Sequence, residues 1–189
     1  MAKPASSRCN LDCRYCFYIA KPQQPMMDDV TLDAFIQQHI DAQPGPEVQF
    51  AWQGGEPTLC GLDFFRRVVA LQARHARGKR IVNAFQTNGI VLNDAWCTFL
   101  SEHDWLVGIS LDGPAELHDA YRVSRSGGPT HQKVIAAIDK LRAHEVSFNL
   151  LTVINRQNSD QPERLYRYLR DLGTPYVQFI PLVEHGNSE

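Results

Sequence analysis

The chain has 189 residues, enough to bury one hydrophobic core, and its 43% hydrophobic and 21% charged residues are typical of a globular protein. The formal net charge is −2 and no basic block stands out, so nucleic acid and anionic membrane surfaces are disfavoured as partners. No apolar run approaches the roughly 18 residues of a membrane-spanning helix, and the start MAKPASSR lacks the apolar core of a signal peptide. We therefore expect a cytoplasmic protein.

Residues 1–30 have the character of a loop, and three cysteines, Cys9, Cys13 and Cys16, lie within eight residues of it. A disulfide uses only two thiols and a structural zinc site takes four ligands, so the trio indicates a metal centre with one open position. The remaining cysteines, Cys60 and Cys97, stand alone among apolar neighbours, and we expect them to be small buried side chains. This odd and uneven cysteine usage fits a reducing compartment better than a disulfide framework.

Beyond the loop, five segments of strand character alternate with amphipathic helices. The predicted strands cover residues 48–53, 81–86, 106–112, 147–154 and 176–180. Apolar strands separated by amphipathic helices are buried on both faces, which predicts a parallel sheet with right-handed crossovers. The loops at the carboxyl ends of such strands are expected to carry the functional site.

Capping residues predict where the helices begin. Asp28, Asp29 or Thr31 would open the helix before the first strand, which carries apolar residues through Ile40. Later helices are predicted over the apolar positions from Leu62 to Leu71 and from three further caps: Asn93, Thr130 and Asp160. The spacing of Asp160 and Glu163 predicts a capping box.

Four short motifs follow the predicted strands directly. GGEP (54–57) follows the first strand, TNG (87–89) the second, DGP (112–114) the third and PLV (181–183) the last. Because the carboxyl ends of parallel strands meet at one edge of the sheet, these four motifs are expected to share one rim.

The motif CNLDCRYCFY with its C-x3-C-x2-C spacing, followed by WQGGEP, SLDGP and HDAYR, closely resembles the radical S-adenosylmethionine (SAM) enzymes, specifically the anaerobic sulfatase-maturating enzymes. The resemblance extends from Ala2 to Val183. It implies an α/β fold, a partial (β/α)6 TIM-like barrel whose first strand would lie at or before the short N-terminus. Residues 1–189 would then form the radical SAM core alone, truncated after the sixth strand and without the C-terminal SPASM domain that holds auxiliary clusters.

The resemblance also implies a chemistry. Cys9, Cys13 and Cys16 would bind three irons of one [4Fe-4S] cluster, and SAM would chelate the fourth iron. Reductive cleavage of SAM would give a 5'-deoxyadenosyl radical, which in full-length relatives oxidises a sulfatase cysteine or serine to formylglycine. The implied partners are a peptide or unfolded sulfatase and a reductant such as flavodoxin or ferredoxin.

The cofactor-binding residues are carried over by motif. Gly54 and Gly55 would let the backbone approach the methionyl group of SAM, and either backbone carbonyls or Glu56 would accept a hydrogen bond from its ammonium. Arg122 of HDAYR would pair with the SAM carboxylate, because a planar two-pronged donor suits that acceptor. His118 is expected to support Arg122, and no residue of this chain is assigned as catalytic.

The remaining assignments concern the nucleoside and the substrate. Ser110 would hydrogen-bond the ribose or methionyl part of SAM, Tyr15 would lie near the adenine, and the backbone around Val183 would contact the adenine edge. Tyr18 and Asp112 are expected to face the substrate.

Other functions fit the same residues. The N-terminal motifs are shared by other SPASM-type enzymes that form thioether or carbon–carbon crosslinks in peptides. A non-catalytic iron–sulfur or SAM-binding fragment is a second alternative, and a zinc-binding interaction module is a third.

Overall fold

The computed structural model describes residues 1–18, 22 and 24–183, in which one parallel sheet of five strands curls into a half-barrel. The strands pair in chain order and run as follows: β1 (Glu47–Trp52), β2 (Arg80–Thr87), β3 (Leu106–Ser110), β4 (Phe148–Ile154) and β5 (Val177–Pro181). All four adjacent pairs are parallel. The predicted partial TIM-like barrel of the α/β class is confirmed.

Ala2 stands where a strand preceding the cysteine loop would lie. It forms an isolated parallel bridge with Trp52, donates its N–H to Ala51 O at 2.7 Å, and accepts from Gln53 N at 3.0 Å. The loop that carries the cysteines therefore leaves the sheet beside β1, as the resemblance implies.

The helices cover the outer face of the sheet. Their bounds are α1 (Asp29–Ala42), α2 (Leu62–His75), α3 (Asp94–Glu102), α4 (Ala115–His118), α5 (His131–Ala143), α6 (Arg156–Ser159) and α7 (Pro162–Asp171). A single 3-10 turn spans Pro57–Cys60. None of the described helices is long and apolar enough to cross a membrane. Two predicted caps are confirmed, because Asp28 accepts from Thr31 N at 2.7 Å and Asn93 accepts from Trp96 N at 3.0 Å.

The other two predicted caps differ from the structure. The capping box at Asp160 is wrong, because α7 begins at Pro162, whose missing N–H and fixed φ suit the first helical position, with Gln161 before it. A capping box does form one helix earlier, at α6, between Asn155 and Asn158. Thr130 precedes α5 as predicted, but its hydroxyl bonds elsewhere.

An aromatic core lies between the sheet and its helices. Phe50, Trp52, Phe65, Phe85 and Trp105 are each at most 2% exposed, and the ring centroids of Phe65 and Phe85 are 5.1 Å apart. Edge-to-face contacts of this kind add about 0.5–1.5 kcal/mol per pair beyond the burial of area. This layer makes the outer face of the sheet rigid and leaves the inner, concave face to the site.

Cys60, Cys97 and the apolar residues of α2 belong to this apolar layer. Cys97 is fully buried and Cys60 is half-buried against the core, as predicted. Phe64, Phe65 and Val68 of α2 are buried in the same layer.

Uncharged residues line the concave face. A cavity of about 230 Å³ there is bordered by Ala51, Ala84, Gly108, Asn149 and Gln178, among others. Gly108 keeps this space open, because a Cβ at that position would lie 2.8 Å from Leu151 Cδ1. The half-barrel thus has an interior that continues towards the carboxyl rim.

Candidate cofactor site at the carboxyl rim

A cavity of about 210 Å³ opens at the carboxyl ends of the first three strands and collects most of the residues predicted for the site. Its lining includes Cys13, Tyr15, Cys16, Gly54, Gly55, Glu56, Ser110 and Arg122. It shares Gln53 and Gln86 with the concave face of the sheet. Residues far apart in the chain therefore meet at one rim, as the parallel topology predicts.

The cysteine loop is held by residues 121–125, which include the end of the HDAYR motif and the residues after it. Asp12 N donates to Val123 O and Arg14 N donates to Tyr121 O, both at 2.9 Å. Arg125 Nε donates to Cys9 O at 2.8 Å. Sequence reasoning missed this support, because contacts between backbone groups leave no side-chain pattern to find.

The three thiols of this loop are free and half-buried. Leu11 N donates to Cys9 Sγ at 3.4 Å, and Asn88 Nδ2 lies 3.8 Å from the same sulfur. Burial raises the pKa of Cys13 to about 12, against the opposing influence of Arg122, so this thiol needs a further cation to become a thiolate at neutral pH.

The chemistry of this donor set, soft thiols with N–H donors beside them, fits an iron–sulfur cluster. Among the described residues, no three or more His, Cys, Asp or Glu side chains are grouped as for a single metal ion.

The glycines of GGEP are required by the N-terminal segment. Gly54 and Gly55 have φ of +84° and +54°, the left-handed region that disfavours side chains. A Cβ on Gly55 would lie 2.2 Å from Arg8 O, and one on Gly54 would lie 2.7 Å from Lys3 Cγ. The sequence predicts that these glycines let the backbone approach a ligand. They also let the N-terminal segment pack closely against the turn, and this packing holds the cysteine loop there.

Glu56 joins two loops of the rim. Its buried carboxylate accepts from Thr58 N at 3.0 Å, Thr58 Oγ1 at 2.7 Å, Thr87 Oγ1 at 2.7 Å and Asn88 N at 2.8 Å. Burial raises the pKa of this carboxyl, while the donors favour its charged form. A ligand ammonium would meet a carboxylate that four protein donors already engage.

Asp112 faces the protein interior, so the expectation that it faces the substrate is wrong. The residue is fully buried, and its Oδ2 accepts from Tyr15 OH at 2.5 Å and from Arg122 Nε at 2.8 Å. Its Oδ1 accepts from Val153 N at 2.9 Å. The buried guanidinium draws the carboxylate away from the open side of the rim.

Arg122 borders the cavity with 7% of its surface exposed. Its guanidinium carbon lies 5.4 Å from the centroid of the Tyr15 ring. Burial disfavours the charged guanidinium, and the Asp112 carboxylate more than offsets this and raises the pKa of Arg122. Arg122 is therefore a fixed cation at the edge of the cavity, as a carboxylate-binding role requires.

His118 supports Arg122 as predicted. Burial, reinforced by Arg122, lowers the pKa of His118 to about 3, so the ring is neutral. Its Nδ1 accepts from Asp112 N at 3.2 Å, which leaves the proton on Nε2 to donate to Thr130 Oγ1 at 3.1 Å. The Thr130 hydroxyl in turn donates to Arg122 O at 2.6 Å, so it cannot cap α5, and Asp119 Oδ1 accepts from Thr130 N instead.

The residues predicted to contact the ribose and adenine of SAM do not all lie at the cavity. Tyr15 stacks on Tyr121 with 5.6 Å between ring centroids, and Ser110 ends β3 at the cavity. Tyr18 also borders the cavity, with Lys3 Nζ 4.2 Å from its ring centroid. Val183 follows β5 with 80% of its surface exposed, and neither it nor Cys9 is among the residues that line the cavity.

Comparisons with known proteins agree with this geometry. The serine-type anaerobic sulfatase-maturating enzyme of Bacteroides thetaiotaomicron is 40% identical over 190 residues, which is 97% of this chain and 46% of the relative. The cysteine-type enzyme of Clostridium perfringens is 37% identical over 187 residues, which is 95% of this chain and 50% of the relative. The chain thus spans about half the length of the curated relatives that it matches.

Solved structures give the same result at the level of the fold. Native anSMEcpe with bound AdoMet and Kp18Cys peptide matches with a TM-score of 0.94 at 36% identity, covering 98% of this chain and 53% of that chain. The sequence profile of the Radical SAM superfamily matches residues 4–169. This match takes in the cysteine loop, the glycine turn and Arg122, and the chain belongs to the radical SAM superfamily.

Proposed function

We propose that this chain is the core of a radical SAM enzyme that oxidises a cysteine or serine of a sulfatase peptide to formylglycine. Members of the superfamily use a [4Fe-4S] cluster and SAM. The observation that carries the proposal is the single cavity that brings Cys13, Cys16, the glycine turn and Arg122 together. Residues 1–189 would act as one radical SAM core domain.

The thiols of Cys9, Cys13 and Cys16 would hold the cluster, and the N–H groups of Leu11 and Asn88 beside Cys9 would moderate the charge on its sulfur. When bound, the cluster and SAM supply reductive cleavage of SAM and abstraction of a hydrogen atom from the substrate. The half-buried position of the thiols would limit the access of water to that chemistry.

The rest of the rim would orient SAM. Arg122 would bind its carboxylate, and backbone carbonyls of the Gly54–Gly55 turn would accept from its ammonium in place of the engaged Glu56 side chain. Ser110, Tyr15 and the backbone near Val183 would contact the ribose and adenine.

The substrate would enter along the concave face. That face joins the rim cavity through Gln53 and Gln86, whose carboxamides can donate to and accept from peptide groups. A solved relative holds a peptide together with AdoMet, which supports a peptide substrate here. An external reductant, such as flavodoxin or ferredoxin, would supply the electron.

The test is SAM cleavage by the anaerobically reconstituted chain with dithionite. We expect 5'-deoxyadenosine from the wild-type chain, none from Cys13→Ala, and a wild-type amount from Cys60→Ala, which removes a thiol outside the loop. A chain that binds the cluster but never cleaves SAM would favour a non-catalytic role.

The substrate class needs a separate measurement, because relatives of both the serine and the cysteine type match this chain. Matched peptides with the pattern CxPxR or SxPxR would be incubated with the active chain and examined by mass spectrometry. Aldehyde formation on either peptide supports the proposal. Normal SAM cleavage with both peptides unchanged would instead favour another kind of peptide modification.

A further inference from the structure

The buried carboxylate of Asp112 lies where three segments of the chain meet. It accepts from Tyr15 of the cysteine loop at 2.5 Å, from Arg122 of the rim at 2.8 Å, and from the backbone of Val153 at the end of β4 at 2.9 Å. Its own N–H donates to His118, which holds the backbone of Arg122 through Thr130. Asp112 is thus the common acceptor of two residues that line the cavity, Tyr15 and Arg122.

The geometry of the Asp112–Arg122 pair leaves one side of the guanidinium for a ligand. A guanidinium can present a carboxylate either with Nε and one terminal nitrogen or with its two terminal nitrogens. Asp112 engages Nε, and no protein hydrogen-bond partner is found for the two terminal nitrogens in the part of the chain that the structure describes. Because Arg122 lines the cavity, its two terminal nitrogens are available to a ligand there.

The ring of Tyr15 lies beside the guanidinium of Arg122. Arg122 Cζ lies 5.4 Å from the centroid of that ring, which is itself stacked on Tyr121. Because the Tyr15 hydroxyl and Arg122 Nε share one oxygen of Asp112, a displacement of either group disturbs the other. Tyr15 lies between two of the three clustered cysteines.

We propose that Asp112 is a positioning residue that aims Arg122 at the SAM carboxylate and ties this anchor to the cysteine loop. The inference rests on the proposed function, because it requires SAM to bind at Arg122. It assigns Asp112 no contact with SAM, the cluster or the substrate.

The test compares SAM affinity and cluster loading in Asp112→Asn, which keeps the shape of the side chain but replaces one acceptor oxygen with a donor. We expect wild-type iron and sulfide content but SAM affinity weaker by about tenfold or more, since the Arg122 fork is no longer held. The SAM-induced change in the electron paramagnetic resonance spectrum of the reduced cluster should shrink accordingly at a fixed SAM concentration. Wild-type SAM affinity in Asp112→Asn would overturn the inference, whereas a wild-type chain that does not bind SAM would overturn the proposed function.

A double-mutant cycle separates positioning from general destabilisation. If Asp112 acts through Arg122, adding Asp112→Asn to Arg122→Lys should weaken SAM binding no further than Arg122→Lys alone. Independent, additive losses would contradict the inference. The control is Thr152→Val, which removes a buried hydrogen bond to Leu111 O next to this network without touching Arg122. It should lower the melting temperature and leave SAM affinity unchanged, and an equal loss of affinity in this control would overturn the inference.

If Asp112→Asn does not fold, Arg122→Lys is tested in its place. Lysine keeps the charge but lacks the Nε donor that Asp112 orients. We expect a tenfold or greater loss of SAM affinity together with a lower melting temperature, because the buried Asp112 carboxylate loses its Nε partner. Unchanged affinity would overturn the inference.

Discussion

At the scale of single residues, the rim depends on buried polar groups that all have partners. Glu56 lies 1% exposed beneath the glycine turn and holds the loop after β1 to the loop after β2. A buried carboxylate is costly unless donors surround it, and here four donors do so. Its role in the apoprotein is therefore to hold the rim together.

Glu56→Gln should destabilise the folded chain by about 1–3 kcal/mol, because the new amide N–H₂ would face groups that are themselves donors. The free energy of unfolding in urea measures this effect. The exposed Glu102 provides the control, and Glu102→Gln should change stability by less than about 0.5 kcal/mol. Equal effects of the two substitutions would contradict the role given to Glu56.

His118 makes the folded state sensitive to acid. Burial lowers its pKa from 6.5 to about 3, so the unfolded chain takes up a proton at a higher pH than the folded chain does. The contribution of His118 to stability is fully present above pH 6.5 and falls as the pH drops from there towards 3, by about 1.4 kcal/mol per pH unit. In His118→Asn this contribution disappears.

Unfolding in urea at pH 7 and pH 5.5 tests the prediction. The variant should be less stable than the wild type at pH 7, but it should lose less stability between the two pH values. Parallel losses in both proteins would show that the pKa of His118 is the same in the folded and unfolded chains, which contradicts the prediction.

At the scale of elements, the glycine turn seats the cysteine loop. The Cβ of Gly55→Ala would lie 2.2 Å from a backbone oxygen, so the loop must move. We expect a loss of about 2–4 kcal/mol in unfolding free energy, together with reduced iron incorporation. Gly78→Ala is the matched control, because Gly78 also has a positive φ of +82° but has nothing within 4 Å of the added Cβ. It should cost only about 1 kcal/mol and leave iron incorporation intact.

The alternation of strands and helices, and the meeting of their loops at one rim, follow from the sequence because burial dictates hydrophobic periodicity. The start of α7 does not follow from the sequence in the same way, because Pro162 takes the first helical position despite the capping-box spacing of Asp160 and Glu163. The orientation of Asp112 was also missed, since the sequence does not show that Arg122 and Tyr15 converge on it. The hydrogen bonds that Asp12 N and Arg14 N of the cysteine loop donate to the carbonyls of Val123 and Tyr121 leave no residue pattern at all.

At the scale of the whole molecule, the two faces of the sheet have separate roles. The outer face carries the aromatic core, and Phe85 on β2 is 1% exposed there. The inner face is lined by uncharged residues and is continuous with the rim cavity. Stability and chemistry are therefore separated across the thickness of one sheet.

Truncating the aromatic core should unfold the chain without any direct effect on the site. Phe85→Ala should cost about 3–5 kcal/mol in unfolding free energy, since it leaves a cavity among packed rings. Phe179 on β5 is 46% exposed, and Phe179→Ala should cost less than about 1 kcal/mol in the same urea titration. Similar losses for both would contradict the placement of the core.

The central claim is that the cysteine loop, the glycine turn and Arg122 form one site for a [4Fe-4S] cluster and SAM. Its most direct test is electron paramagnetic resonance of the anaerobically reconstituted, dithionite-reduced chain before and after SAM is added, together with iron and sulfide analysis. We predict about four irons and four sulfides per chain and a spectrum that changes when SAM binds the open iron. A colourless chain containing stoichiometric zinc, or a reduced cluster whose spectrum SAM leaves unchanged, would contradict the claim.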